Sequence, residues 1–288
     1  MTNAFPQATL YHYASLTEFQ QILGAKSVWL TPVDAQAELD AALGFIRQVI
    51  TTAYPGLDAG DFNLGKIGAF PEYSLSLTSQ KDLQSEWAKY YPNGGFAIAI
   101  DQAQLSATMD TCNLSLSKCF YDDGEKKDFV INTIIEINPG DYTNSIAQSA
   151  PTCPLDPRQQ MFERQLRLIN RNILNYAGLL KDASRADEQE WRILAPYNWQ
   201  GIFIGPTDID PDPLLLDRKP VGESNLSLTH LEAPLATGAD KVTITEVVIG
   251  PNPDMPQAKL TCQSLVSESS SPGSVTITES VIPYASGT

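Results

Sequence analysis

The chain has 288 residues, 42% of them hydrophobic and 18% charged, a globular composition able to bury a sizeable core in one large domain or two small ones. Its 34 acidic against 19 basic side chains leave a formal charge of −15, which repels phosphate backbones and anionic lipids and argues against bulk nucleic-acid binding. Cys112, Cys119, Cys153 and Cys262 have neither CxxC spacing nor disulfide-scaffold density, so they read as free or buried thiols with no metal site. No secretory pattern opens the sequence and no apolar run approaches the roughly 20 residues of a membrane span, so a cytoplasmic protein without membrane association is expected.

Leu10 to Tyr13 reads as a first strand. Ser15 and Glu18 then match a capping box for a helix whose apolar face is Phe19, Ile22 and Leu23, with Gly24 as its expected end and Val28 to Leu30 as the next strand. Leu39, Leu43, Ile46 and Ile50 recur at helical steps, and the Tyr54-Pro-Gly56 stretch closes that helix. The strict alternation of Tyr73 to Thr78 sends Tyr73, Leu75 and Leu77 to one face of a strand and Ser74, Ser76 and Thr78 to the other. An amphipathic stretch at Leu83, Trp87 and Tyr90 leads through the Pro92-Asn-Gly94 turn to a buried strand, Gly95 to Ile100, and Asp101 caps a short helix.

Leu114 to Tyr121 is a further strand candidate, and 126–136 and 157–181 carry helical periodicity. Beyond residue 187 strands are expected at Glu190 to Leu194, Gly201 to Ile204, Leu226 to Leu231, Thr243 to Ile249 and Val275 to Ile282. One helix interrupts them near 256–266 behind an Asp254 cap, and Ser267 to Ser271 reads as a serine-rich loop. This order points to a single α+β domain spanning 1–288, with sheets drawn from both chain ends and a helical middle, instead of a doubly wound repeat. The chain lacks GxGxxG, Walker-type and GxSxG motifs, and Asp208 to Pro213 lacks the Gly and Glu spacing of a calcium loop.

Glu188 and Glu190 stand one residue apart, so on a strand they would share a face. Such a pair is either a solvated edge or two carboxylates with separated pKa values, one stabilising positive charge on a substrate and the other holding a nucleophile. His12 alternates with Tyr11 and Tyr13 and so turns to the opposite face, as a structural residue or an anchor; His230 has no role assigned. The hydroxyls of Ser74, Ser76, Thr78 and Ser79 suit either an exposed sheet face or a cleft for sugar and phosphate groups.

Taken in order, Tyr11-His-Tyr-Ala-Ser15, Val28-Trp-Leu30, Ser76-Leu-Thr-Ser79 with Trp87 and Tyr90, Gly95-Phe-Ala-Ile-Ala-Ile-Asp101, Glu188-Gln-Glu-Trp-Arg192 and Val247-Val-Ile-Gly-Pro251 resemble a bacterial family catalogued as domain of unknown function 2971, over about residues 10 to 284. That family is distantly similar to the ADP-ribosyltransferase fold, whose members split NAD and pass ADP-ribose to an acceptor. The resemblance implies NAD as substrate, no metal, a macromolecular acceptor of unknown identity, and a bacterial toxin or phage-defence setting. It implies that His12, with Tyr13 beside it, contacts the adenosine side, and that Ser76, Thr78 and Ser79 support the cleft. Glu190 would bind the nicotinamide ribose and stabilise its cationic transition state, while Glu188 orients the acceptor. Tyr73, Tyr90 and Tyr91 are the candidates to stack on nicotinamide, and the middle motif reads Ser-Leu-Thr-Ser where the fold has Ser-Thr-Ser. A non-catalytic nucleotide-binding or protein-interaction module on the same fold, and NAD hydrolysis with water as acceptor, are the alternatives.

Overall fold

The computed structural model describes residues 8–32, 36–54, 73–112, 114–135, 169–170, 172–173, 175–195, 231–237, 240–269 and 275–284. The expected strand at Gly201 to Ile204, the Asp208 to Pro213 stretch, Cys153 and His230 lie outside them, as does all but Leu231 of the strand expected at Leu226 to Leu231.

β1 (Thr9–Ala14) leads into α1 (Leu16–Ala25), where Ser15 Oγ accepts from the Glu18 amide at 3.3 Å and the Glu18 carboxylate accepts from the Ser15 amide at 2.7 Å. The helix does not stop at Gly24. It runs to Ala25, and the left-handed cap is Lys26 at φ 52°, whose amide closes the last turn on the Ile22 carbonyl at 3.0 Å. β2 (Ser27–Pro32), α2 (Gln36–Ala53), β3 (Tyr73–Thr78), α3 (Gln84–Tyr90), β4 (Phe96–Asp101) and α4 (Gln102–Thr111) follow within a few residues of where periodicity puts them. Gly94 supplies the positive φ, 104°, of the turn between α3 and β4, and Asp101 caps α4 by accepting from the Gln104 amide at 2.8 Å.

β5 (Ser115–Lys118) precedes α5 (Asp123–Phe129), which continues as a π-helical turn over Val130–Ile135; residues 169–170, 172–173 and 175–176 are helical and lead to β6 (Glu190–Leu194). β7 (Leu231–Pro234), the small ribbon β8 (Ala236–Thr237) and β9 (Asp240–Lys241), β10 (Ile244–Ile249), α6 (Met255–Glu268) and β11 (Thr276–Glu279) complete the described elements. α6 absorbs Ser267, which was expected in a loop. The Ser267 hydroxyl is satisfied inside the helix, donating to the Ser264 carbonyl at 2.8 Å.

The fold is α+β around one mixed sheet that draws on both chain ends, in the order β11-β10-β4-β1-β3-β2-β7, with β6 on β3 and β5 on β6. β10 and β11 run parallel and every other pair in it is antiparallel. Leu10, Ala14, Phe96, Ile98, Ile100, Val247 and Ile249 form the main core with Phe19 and Ile22 of α1, Leu105 and Met109 of α4 and Cys262 of α6. Each of the fully buried leucines and isoleucines contributes about 2 kcal/mol by leaving water. The alternate positions Tyr13, Ala97 and Val248 form a smaller cluster on the opposite face with Trp87 of α3. A separate core joins Ile46, Ile50 and Tyr54 of α2 and its end to Val130 and Ile134 of the π-helical turn and Ile173. Among the described residues no helix is long and apolar enough to cross a membrane.

Candidate functional site

β6 occupies one edge of β3 from Ser74 to Thr78. The other edge is shared: β1 meets it only at Thr78, opposite Tyr11, and β2 only at Tyr73 and Ser74, opposite Pro32 and Thr31. β1 and β2 therefore part company around Ser76, and the sheet splits. His12 spans the split, its Nδ1–H donating to the Ser76 carbonyl at 3.1 Å. Because that acceptor demands the proton on Nδ1, Nε2 carries a lone pair. Burial, opposed by the Ser76 bond and the charge of Glu18, holds the imidazole below its ordinary pKa and hence neutral.

The antiparallel register sets Ser74, Ser76 and Thr78 opposite Leu194, Arg192 and Glu190. Paired residues point to the same face, so the hydroxyl stripe lies beside Arg192 and Glu190. Ser76 Oγ donates to Glu190 Oε1 at 2.6 Å, Thr78 Oγ1 donates to the Glu188 carbonyl at 2.5 Å, and Ser79 Oγ donates to Gln189 Oε1 at 2.6 Å. Three hydroxyls of one segment thus hold three consecutive residues of another. Glu188 and Glu190 do not share a strand face, contrary to the expectation from their spacing. Glu188 ends a 3₁₀ helix over Ala183–Glu188, Gln189 turns left-handed at φ 43°, and β6 starts only at Glu190.

Glu190 is buried and charged. Burial alone would raise its pKa, but Arg192, Lys181 and the Ser76 hydroxyl together pull it down to about 2. Arg192 Nε donates to Oε1 at 2.7 Å and Lys181 Nζ lies 2.9 Å from Oε2. Oε2 is closed to solvent and among the described residues accepts no hydrogen bond, so the Lys181 contact is a charge contact. Glu38 of α2 closes the cluster: Lys181 Nζ is 2.7 Å from its Oε2, Arg185 pairs with its Oε1, and Arg192 Nη2 is 3.6 Å away. Arg185 also grips Glu188, Nε to Oε1 at 2.8 Å. Tyr121 supports the start of β6, its hydroxyl accepting from the Glu190 amide at 2.9 Å.

Glu38, Arg185, Glu188, Glu190 and Arg192 help to wall a cavity of about 570 Å³, within the range of small-molecule sites. His12, Glu18, Leu75 and Leu77 line it along with Ser76, Thr78, Glu190 and Arg192, which belong to the opposite sheet face, so the cavity runs through the split. α3 closes one side with Glu86, Lys89 and Tyr90, at i, i+3 and i+4, while Trp87 turns inward to the core. Gly250 sets that packing, since a Cβ there would meet the Trp87 ring at 2.6 Å.

Tyr13 lines the cavity but its hydroxyl serves the backbone, accepting from the Leu83 amide at 2.7 Å and donating to the Gln80 carbonyl at 3.2 Å. Ser79 braces Gln189 and is not among the cavity-lining residues. Of the three tyrosines considered for stacking, Tyr73 is buried in the main core and Tyr91 is tied to the Tyr13 carbonyl at 2.8 Å. Tyr90 is half exposed at the cavity wall, with Lys89 Nζ 4.6 Å from its ring centre.

Lys181, Arg192, Glu38 and Glu86 went unrecognised in the sequence. Arg192 was accessible to the same alternation that singled out Glu190, and Glu86 lies off the Leu83–Trp87 stripe; Glu38 and Lys181 carry no local signal because only tertiary packing joins them. The chain matches no protein-family model, and no curated protein or solved structure matches it.

Proposed function

We propose that this chain is an NAD-dependent ADP-ribosyltransferase, with the split-sheet cavity as its active site, His12 and Tyr90 as NAD contacts and Glu190 as the residue facing the nicotinamide ribose. The observation that carries the reading is the set of three hydroxyl bonds by which Ser76, Thr78 and Ser79 grip Glu190, Glu188 and Gln189 in turn. Such bracing fixes a carboxylate before substrate arrives, which is the condition for electrostatic catalysis without reorganisation.

Cleavage of the bond between ribose and nicotinamide leaves the electron pair on the departing nitrogen and positive charge on the sugar. Glu190, ionised at every working pH, supplies a fixed negative charge for that sugar. Lys89 lines the same cavity and is the cation suited to the diphosphate. His12 Nε2, a pure acceptor, suits the adenine amine, and the Tyr90 ring gives a face for the pyridinium.

The test is release of free nicotinamide from NAD by purified protein, with Glu190→Gln as the nearly isosteric control. Release that disappears in the variant supports the reading. A second reading, a non-catalytic binding module, is favoured by one observation: two cations already neutralise Glu190. It is the better account if NAD neither binds nor loses nicotinamide, alone or with cell extract as a source of acceptors.

A further inference from the structure

Resting on the transferase reading, we infer that Glu86, and not Glu188, is the group that takes the proton from the acceptor as it attacks the ribose. Glu188 lines the cavity too, but its Oε1 is already occupied by the Arg185 guanidinium at 2.8 Å. Glu86 projects from α3 into the same cavity, and among the described residues neither a hydrogen-bond donor nor a cation is paired with its carboxylate.

The electrostatics fit the task. Burial, then the negative charges of Glu188 and Glu190, push the Glu86 carboxyl up to about 7, with Lys89 on its own helix and Lys181 opposing. A base tuned near the working pH combines a useful deprotonated fraction with real proton affinity. Tyr13 and Tyr91 also face Glu86, and burial with that charge raises both phenols, so they stay neutral. His12 is already neutral in this range. In the step itself the bond from C1′ to the nicotinamide nitrogen breaks, with its electron pair leaving on nicotinamide. The acceptor oxygen forms its bond to C1′, and the acceptor proton moves to the Glu86 carboxylate, which becomes a neutral acid and later returns the proton to water.

The experiment uses the full chain, NAD as the only added substrate and water as acceptor. Nicotinamide release is followed from pH 5.5 to about 9, chosen to bracket a base near 7, for the wild type, Glu86→Gln and Glu86→Asp. NAD affinity is measured in parallel by calorimetry. The expected result is a wild-type kcat that climbs through about pH 7 and then levels. Glu86→Gln should lose the climb and fall roughly 100-fold at pH 8, with NAD affinity unchanged and partial recovery in Glu86→Asp. A Glu86→Gln profile that keeps the wild-type climb overturns the assignment while leaving the transferase reading intact. NAD binding without nicotinamide release at any pH, in water alone and with cell extract added as a source of acceptors, overturns both. Glu86→Gln removes an unfavourable buried charge, so its thermal melt at pH 8 should be no lower than wild type.

Discussion

Ser76 and Glu190 meet diagonally across the β3–β6 pair, hydroxyl to carboxylate at 2.6 Å, although Ser76 is paired in register with Arg192. The diagonal contact exists because Arg192 and Glu190 stand two apart on one strand face, so Arg192 Nε and Ser76 Oγ converge on the same oxygen, Glu190 Oε1. A double-mutant cycle with Ser76→Ala and Glu190→Gln, read by urea unfolding, should give a coupling of about 2 kcal/mol, the scale of a hydrogen bond to a charged group. Coupling near zero would mean that the two side chains merely adjoin.

Acid should unfold the protein in two stages. Burial depresses the His12 pKa below 6.5, so the unfolded chain takes up a proton that the folded one refuses, and stability falls as the pH drops below 6.5. Glu190 titrates near 2 in the fold against an ordinary 4.5, so its contribution is complete above 4.5 and is lost as the pH falls toward 2. The magnitude is roughly 3 kcal/mol, from 1.36 kcal/mol per pKa unit. Glu86, raised to about 7, opposes the His12 loss, because the fold binds its proton more tightly as the pH falls from 7 to 4.5, so the two stages are read in a Glu86→Gln background. Thermal melts of that variant from pH 8 to 2.5 should show both declines, and adding Glu190→Gln should flatten the lower one.

Lys181 is the buried hub of the ion cluster, 1% exposed and within 2.9 Å of both Glu38 and Glu190. Lys181→Met should cost about 3 to 5 kcal/mol in denaturant unfolding, since it takes one of its two cations from the buried Glu190 carboxylate. The exposed pair Lys259 with Glu279 should contribute less than 1 kcal/mol when cut by Lys259→Ala. Equal losses for the two variants would contradict the burial argument.

Gly250 and Trp87 couple the central sheet to α3. Gly250→Ala should destabilise by roughly 1 to 3 kcal/mol through overpacking against the ring. Because the displaced helix carries Glu86, Lys89 and Tyr90, nicotinamide release should fall further than Glu86→Gln alone explains, with NAD affinity weakened as well.

Much of the fold was legible because its signals are local. The Ser15–Glu18 box, the alternation of Tyr73 to Thr78, the apolar run ending at Ile100 and the caps at Asp101 and Asp254 each act within a few residues, and each reappears in the structure. Glu190 was legible as the head of one strand, and Ser76 and Thr78 as the polar face of another. Glu188 was misread because spacing assumes a regular strand, whereas Gln189 takes a left-handed turn held by Ser79 from another segment.

Composition and periodicity determined that this chain is an α+β protein with a hydroxyl-bearing strand and a carboxylate-bearing one. Only the tertiary structure decided that those strands are neighbours, that the sheet splits at Ser76 and that His12 fills the break. It alone brought Glu38, Lys181 and Arg192 together around Glu190. The reason is range: hydrogen bonding within a turn or strand depends on adjacent residues, while charge pairing in a cavity depends on which distant segments the core has already packed side by side.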